Sequence, residues 1–225
     1  MKNWKLSPSD LTFLYEECKR CFYLKVAQNY KRPWTPFPKI FNKIDGLMKG
    51  FFEGKRSEDI VPGFPAGVVK YGEKWVESEP LSFPDRNSTC FIRGKFDTVV
   101  EFEDKSFGVI DFKTSERKSE HIPLYSRQLH SYAFALEQAA QGKLSLSPVT
   151  MMGLLCVEPS DISRDQNGRI AYWGEPVWIE CKRDDAAFLG FLEGVVDLLD
   201  RPEPPGGDPS CTFCQYRDTA RRTQL

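Results

Sequence analysis

Within the apolar run GVIDFKTS, residues 108–115, the triplet Asp111-Phe112-Lys113 sets a carboxylate and an ammonium two positions apart. Side chains alternate across a strand, so Asp111 and Lys113 share one face while Ile110 and Phe112 take the other, toward the core. Upstream, FIRGKFDTVVEFE (91–103) is rich in β-branched and aromatic residues and carries Asp97 on a face with Arg93 and Lys95. The polar group Glu103-Asp104-Lys105-Ser106 turns the chain between the two runs, so the spacing predicts a β-hairpin with Asp97 roughly opposite Asp111. Two carboxylates side by side repel, and a divalent cation relieves the repulsion. Oxygen donors suit magnesium or manganese, and the Phe112 carbonyl between the two key side chains adds a further candidate ligand. A lysine beside such an ion can position or deprotonate a water while the metal stabilises charge on a phosphoryl oxygen. Those are the parts needed to hydrolyse a phosphodiester. The plainer reading is a solvated surface ion pair, against which stand the apolar flank Gly108-Val109-Ile110 and the nearby Asp97.

Four of the seven cysteines form a second constellation, the Cys-x-x-Cys pairs Cys18/Cys21 and Cys211/Cys214. An odd cysteine count without a secretory leader disfavours a disulfide framework. Two such pairs read instead as one four-thiolate metal site that staples the C-terminal tail (201–225) to the first helix; a redox pair or simple core cysteines are the alternatives. Cys90, Cys156 and Cys181 lie singly in strand-like surroundings and read as small buried side chains.

The elements that position these groups follow from periodicity and punctuation. Ser7 to Leu24 reads as a helix capped by Ser7 or Ser9, with Cys18 and Cys21 on one face. Lys39 to Phe52 is a second helix beyond the Pro-rich KRPWTPFP. Residues 63–84 read as irregular, with a short strand or helix near 74–78. Pro123 opens a helix to about Ala140 that holds Gln128 and Tyr132 four apart on one face. An apolar strand at 147–157, one or two strands within 169–181 and a helix from Asp184 to Leu199 complete the pattern. Gly46 to Arg56 lacks the order of a phosphate-binding loop, so no motor domain is expected.

The 225 residues suit one domain, with 40% hydrophobic residues for a core and 28% charged residues for a soluble surface. A net charge of -1 argues against a generally basic nucleic-acid coat but allows a local basic cleft. No apolar stretch approaches the ~20 residues that span a bilayer. The opening MKNWKLSPSD has no apolar leader, so a cytoplasmic protein is expected. Arg117 and Lys118, just past the Asp111–Lys113 strand, are the best candidates for phosphate contacts. Trp34, Trp173 and Trp178 can stack on bases, although packing explains each as well.

Gly94-Lys95-Phe96-Asp97, then Ile110-Asp111-Phe112-Lys113-Thr114, then Gln128-x-x-x-Tyr132, in this order, resembles the PD-(D/E)XK nuclease superfamily. Within it the chain is most similar to the RecB-like branch, which includes the CRISPR-associated adaptation exonucleases and the AddB nuclease domain. SPSDLTFLYEECKRCFYLK resembles that branch's first helix, so the likeness covers nearly the whole chain. It implies an α/β restriction-endonuclease-like core, a central mixed β-sheet flanked by helices. It implies a metal-dependent deoxyribonuclease in repair, recombination or CRISPR/phage-related processing, acting on single-stranded DNA or duplex ends. A helicase, CRISPR or repair partner would go with that role. Asp97 and Asp111 would be magnesium or manganese ligands, Lys113 the catalytic lysine, and Gln128 and Tyr132 orienting residues. The branch often has a histidine ligand on the helix before the hairpin; Asp45 stands there instead. The same resemblance favours a [4Fe-4S] cluster on the four cysteines, with zinc as the alternative. The family's usual cysteine split is one and three, whereas here it is two and two, with Ala220 where a later cysteine is expected. A catalytically weak DNA-binding module with the same fold is the other reading.

Overall fold

The computed structural model describes residues 1–114 and 121–223. Strand β1 (Asn3–Leu6) leads into a wide helical turn (Asp10–Leu14) and the short α1 (Tyr15–Glu17). The chain breaks at Cys18, whose backbone is extended (φ −167°), and restarts as α2 (Lys19–Gln28). The single helix expected over 7–24 is therefore two pieces. Asn29, in the left-handed region at φ 52°, ends α2, and α3 (Lys39–Phe52) follows the Pro-rich segment.

The short element expected near 74–78 is strand β3 (Trp75–Glu77), and the stretch read as irregular around it also holds β2 (Gly67–Gly72) and β4 (Leu81–Ser82). β2 alternates poorly because it is an edge strand with a register shift between Val69 and Tyr71, so periodicity alone does not reveal it. The long strand expected over 91–103 is split. β5 (Thr89–Lys95) joins β1, β3 and β4 in one sheet, and β6 (Thr98–Phe102) joins another. Asp97 lies at the bend between them.

β6 pairs antiparallel with β7 (Phe107–Lys113). Helix α4 (Ile122–Glu137), with proline in its first turn, then crosses to β8 (Val149–Val157), which runs parallel to β7. β9 (Asp161–Arg164) and β10 (Ile170–Trp173) form an exposed ribbon, β11 (Pro176–Glu180) returns along β8, and α5 (Asp185–Leu199) and α6 (Thr212–Arg222) close the chain. The central sheet has the order β11-β8-β7-β6-β2 and mixes parallel with antiparallel pairs. It is the mixed sheet flanked by helices that the sequence predicts.

β7 is buried at six of its seven positions, which explains its nearly continuous apolar run. On one face Val109 packs with Leu129, Ala133 and Leu136 of α4 and Leu192 and Val195 of α5. On the other, Ile110 and Phe112 pack with Phe52, Ile60 and Phe64. Burying each such side chain contributes about 1.5–3 kcal/mol, so β7 is the most firmly held support available for a site. Asp184 caps α5 by accepting from the Ala187 N–H at 2.9 Å. Cys90, Cys156 and Cys181 are buried. No helix among the described residues is long and apolar enough to cross a membrane.

Candidate active site and four-thiolate site

Thr98 pairs with Ile110, and continuing that register puts Asp97 across from Asp111. The Phe112 N–H donates to Asp97 Oδ2 at 3.2 Å, which ties the bend to the end of β7. Asp111 is 3% exposed and ion-paired with Lys113. Gln128 Nε2 lies 3.4 Å from Asp111 Oδ1 and 3.3 Å from the Tyr132 hydroxyl. Tyr132 in turn donates to the Lys95 carbonyl at 2.9 Å. A Cβ at Gly94 would come within 2.7 Å of Pro8 and 3.2 Å of the Tyr132 ring, so this glycine keeps room for the tyrosine. Asp97, Asp111, Lys113, Gln128 and Tyr132 thus meet at one place, carried by β7, the β5–β6 bend and α4.

The electrostatics are those of crowded acids. Burial, and then the neighbouring Asp97 carboxylate, raise the Asp111 pKa to about 6 against the opposing pull of Lys113. Burial works against the charge on Lys113, but the Asp111 carboxylate outweighs it and raises the pKa. The Lys113 ammonium also lies 4.5 Å from the Tyr125 ring centroid. Lys113 and Asp45 both line a cleft of about 370 Å³, with Phe37, Phe41 and Tyr125 around them.

Asp45 is held differently. Its carboxylate accepts from Lys49, one helical turn on, at 2.6 Å. The same ammonium lies 2.8 Å from Asp97 and 2.8 Å from Glu73. Lys95 adds a second ammonium to Glu73 at 2.6 Å. Sequence reading missed Lys49 and Glu73 as site residues: Lys49 passes for an ordinary α3 lysine, and Glu73 lies in the turn between the unrecognised strand β2 and β3. The available signal was the i,i+4 spacing of Asp45 and Lys49. Three carboxylates around one ammonium, beside a buried Asp111 with a raised pKa, form an oxygen-rich set that fits a hard divalent cation. The carboxylates do not yet converge: among the described residues, only the four cysteines bring three or more such ligand atoms within 4.8 Å of one another.

The cysteines use one local device twice. Cys18 and Cys211 each precede a helix with extended backbone, and Cys21 and Cys214 follow in its first turn. The extended backbone at Cys18 and at Cys211 sets the first cysteine of each pair just ahead of the helix that carries the second. The Sγ–Sγ distances are 3.5 Å for Cys18–Cys214 and 3.7 Å for Cys21–Cys211 and Cys21–Cys214. Burial opposes ionisation of Cys18, yet backbone N–H groups and the other thiols bring its pKa down to about 7. Arg32 and Arg217 donate to Cys211 and Cys214 at 3.5 and 3.4 Å. Arg20 pairs with Asp218 at 2.9 Å and joins the same two segments.

Other expectations fare differently. Arg117 and Lys118 lie outside the described residues. His130 of α4 is buried. Its Nε2 accepts from the Asp184 N–H at 2.8 Å and its Nδ1 lies 2.8 Å from the Ser126 carbonyl, so it braces α4 against α5. Trp34 and Trp173 are exposed, while Trp178 packs edge-on to Phe64.

A family model described as the PD-(D/E)XK nuclease superfamily matches residues 66–219, which include Asp97, Asp111, Lys113, Gln128 and Tyr132 but not Asp45 or the first cysteine pair. The chain is similar to the crystal structure of SSO0001, with a TM-score of 0.50 and 16% identity over 88% of this chain and 77% of that one, a likeness of fold. No curated protein matches the chain. With that model spanning most of the sequence, the chain belongs to the PD-(D/E)XK nuclease superfamily.

Proposed function

We propose that this protein is a divalent-metal-dependent deoxyribonuclease whose site is the Asp97–Asp111–Lys113 cluster. The observation that carries the reading is the buried Asp111, facing Asp97 and paired with Lys113, which lines an open cleft. Asp97, Asp111 and the Phe112 carbonyl would hold magnesium or manganese, with Asp45 and Glu73 within reach once Lys49 withdraws. The bound ion would supply charge neutralisation at the scissile phosphate and acidify its water. Lys113 serves as the water-orienting group. Burial opposes the charge on Lys113 and the Asp111 carboxylate is the main group that supports it, so a cation bound to Asp111 would weaken that support. Gln128 fixes Asp111, and Tyr132 fixes the bend that carries Asp97. The order of motifs supports the RecB-like branch, and with it single-stranded DNA or duplex ends as substrate and a helicase or a CRISPR or repair protein as partner.

The four thiolates are read as a closed structural metal site. A tetrahedral ion with metal–sulfur bonds of about 2.3 Å has edges of about 3.8 Å, close to the spacing here. A [4Fe-4S] cluster interposes iron and sulfide and would require the thiolates to move apart. The spacing therefore supports zinc, and the likeness to the RecB-like branch supports iron–sulfur. Metal analysis with a visible absorption spectrum of anaerobically purified protein decides between them.

One specific observation favours a second reading. Lys49 pairs with Asp45, Glu73 and Asp97 at once. A chain that kept this arrangement permanently would bind DNA without cutting it. Cleavage of single-stranded and duplex DNA with magnesium or manganese, alongside Lys113→Ala, tests both. Metal-dependent cleavage lost in the variant supports the nuclease; binding without cleavage in either protein supports the module.

A further inference from the structure

A pocket of about 300 Å³ opens beside the four-thiolate site and shares no residue with the catalytic cleft. Its wall combines aromatic rings, Tyr30, Phe213 and Tyr216, with Lys31, Arg32, Arg217 and Arg221, and includes no carboxylate. Part of that positive charge is already committed. Arg32 is spent on Glu17, on the Cys211 thiol and on the Phe213 ring, and Arg217 on the Cys214 thiol. Lys31 and Arg221 are left. Among the described residues neither side chain makes a hydrogen bond or an ion pair, and Arg221 only senses Asp218 through space. Two uncommitted cations thus flank two open rings, Tyr30 at 59% and Tyr216 at 79% exposure, in a chain whose net charge is -1.

The pocket is also joined to the catalytic cleft. Tyr30, Lys31, Arg32 and Pro33 line it, and the same segment continues through the exposed Trp34 to Phe37, which lines the cleft. From Tyr30 to Phe37 the chain spans at most about 25 Å even fully extended. Anionic groups at regular intervals, each attached to a flat ring, match this series of cations and aromatics. A single strand of nucleic acid has that chemistry.

We infer that this pocket is a second, non-catalytic subsite for one nucleotide of a single strand whose continuation lies in the cleft, the base against Tyr216 and Tyr30 and a phosphate against Lys31 and Arg221. The inference rests on the nuclease reading and extends it: the four-thiolate staple shapes a grip on the strand as well as holding the tail. Arg32 and Arg217 link the two roles, since they touch the thiolates on one side and line the pocket on the other.

The test uses the full-length metal-loaded protein in the Lys113→Ala background, with fluorescein-labelled oligodeoxythymidylate and fluorescence anisotropy. Tyr216→Ala is expected to weaken binding about tenfold, the loss of one base–aromatic stack. Lys31→Glu with Arg221→Glu is expected to weaken it further and to flatten the salt dependence, by about 0.7 in the log–log slope for each phosphate that is no longer neutralised. All three residues sit at the surface, so bound sulfur-site metal and Tm should stay at parent values. In the Lys113-containing enzyme these variants should raise KM for the oligonucleotide yet leave hydrolysis of bis(p-nitrophenyl) phosphate, too short to span both sites, unchanged. Unchanged affinity and salt slope, in a protein that still cleaves DNA, would overturn the subsite alone. Thymidylate monomer binding as tightly as the oligonucleotide would overturn the continuous strand. A Lys113-containing enzyme that neither binds nor cleaves would overturn the nuclease reading and this inference together.

Discussion

The two candidate metal sites are built on opposite principles. At the sulfur site four buried side chains crowd within 4.8 Å, and the same break-then-helix device presents each pair. At the acidic site Lys49 and Lys113 stand among the carboxylates. The difference follows from protonation. Most thiols keep their protons at neutral pH until a metal displaces them, so they can be packed together in advance with little charge. Carboxylates are charged at neutral pH, and crowding them needs countercharge from the chain itself. The sulfur site has all four cysteines buried and suits a permanent ion. The acidic site opens to a cleft and suits an ion that arrives with, or acts on, a phosphate.

The sharpest way to break this contrast is to remove one residue from each site. Lys113→Ala is expected to reduce cleavage at least a thousandfold, in the range lost with a catalytic acid or base, and to leave sulfur-site metal untouched. Asp111 can then take up a proton, which limits the cost to folding; circular dichroism checks that. A variant retaining a large share of wild-type turnover would remove Lys113 from the mechanism. Cys211→Ser should do the reverse kind of damage. Bound metal should be lost, and Tm should fall by about 10 °C, as expected for several kcal/mol in a chain of this size. Cys90→Ser, at a buried cysteine outside the cluster, should leave metal content unchanged. Normal metal content in Cys211→Ser would rule out four thiolates on one ion.

How much of this was legible beforehand follows the same contrast. The hairpin register, Asp97 opposite Asp111, α3 to the residue and the cap at Asp184 could all be read from alternation, turn residues and capping chemistry. The four cysteines could be paired by spacing alone. What escaped was tertiary. The bend at Phe96–Asp97 moves β5 into a different sheet, and nothing in a continuous β-prone run marks it. The break at Cys18 sits inside good helical periodicity, so only the demand of the thiol cluster explains it. Glu73 and Lys49 are surface-like residues in sequence, and their meeting depends on the turn after β2, a strand that irregular patterning concealed. Nothing in the sequence marks His130 as buried, because its partner, the Asp184 N–H, lies at the start of a helix remote in sequence.

Lys49 offers the next test, with a smaller effect. Lys49→Met removes the ammonium that Asp45, Glu73 and Asp97 share, so three carboxylates face one another without it. In buffer free of magnesium and manganese the variant should melt about 5 °C below wild type, and added manganese should recover most of that loss. Manganese binding, read by electron paramagnetic resonance, should strengthen about tenfold because an internal competitor is gone. If manganese stabilises Lys49→Met no more than wild type, the Asp45–Glu73–Asp97 group is an ion-pair network, and the acidic site loses its claim to more than Asp97 and Asp111.

Asp111 gives the finest test, because the sign of its pH dependence separates a proton from a metal. Its folded pKa of about 6 lies above the ordinary aspartate value of 3.8. The folded state therefore holds this proton more tightly than the unfolded chain does. The group favours folding most below about pH 4, and the contribution is lost as pH rises to about 6. Asp111→Asn imitates the protonated form at every pH. In metal-free buffer the Tm of wild type should thus gain on that of Asp111→Asn, by about 2 °C, on going from about pH 7 to about pH 5, while other carboxylates cancel in the comparison. Saturating manganese should remove the trend, since the ion takes the place of the proton, and manganese affinity should itself fall as pH drops below about 6. A difference in Tm that stays flat with pH, with and without manganese, would mean that Lys113 alone keeps Asp111 ionised, and the hairpin would then carry an ion pair in place of an unfinished metal site.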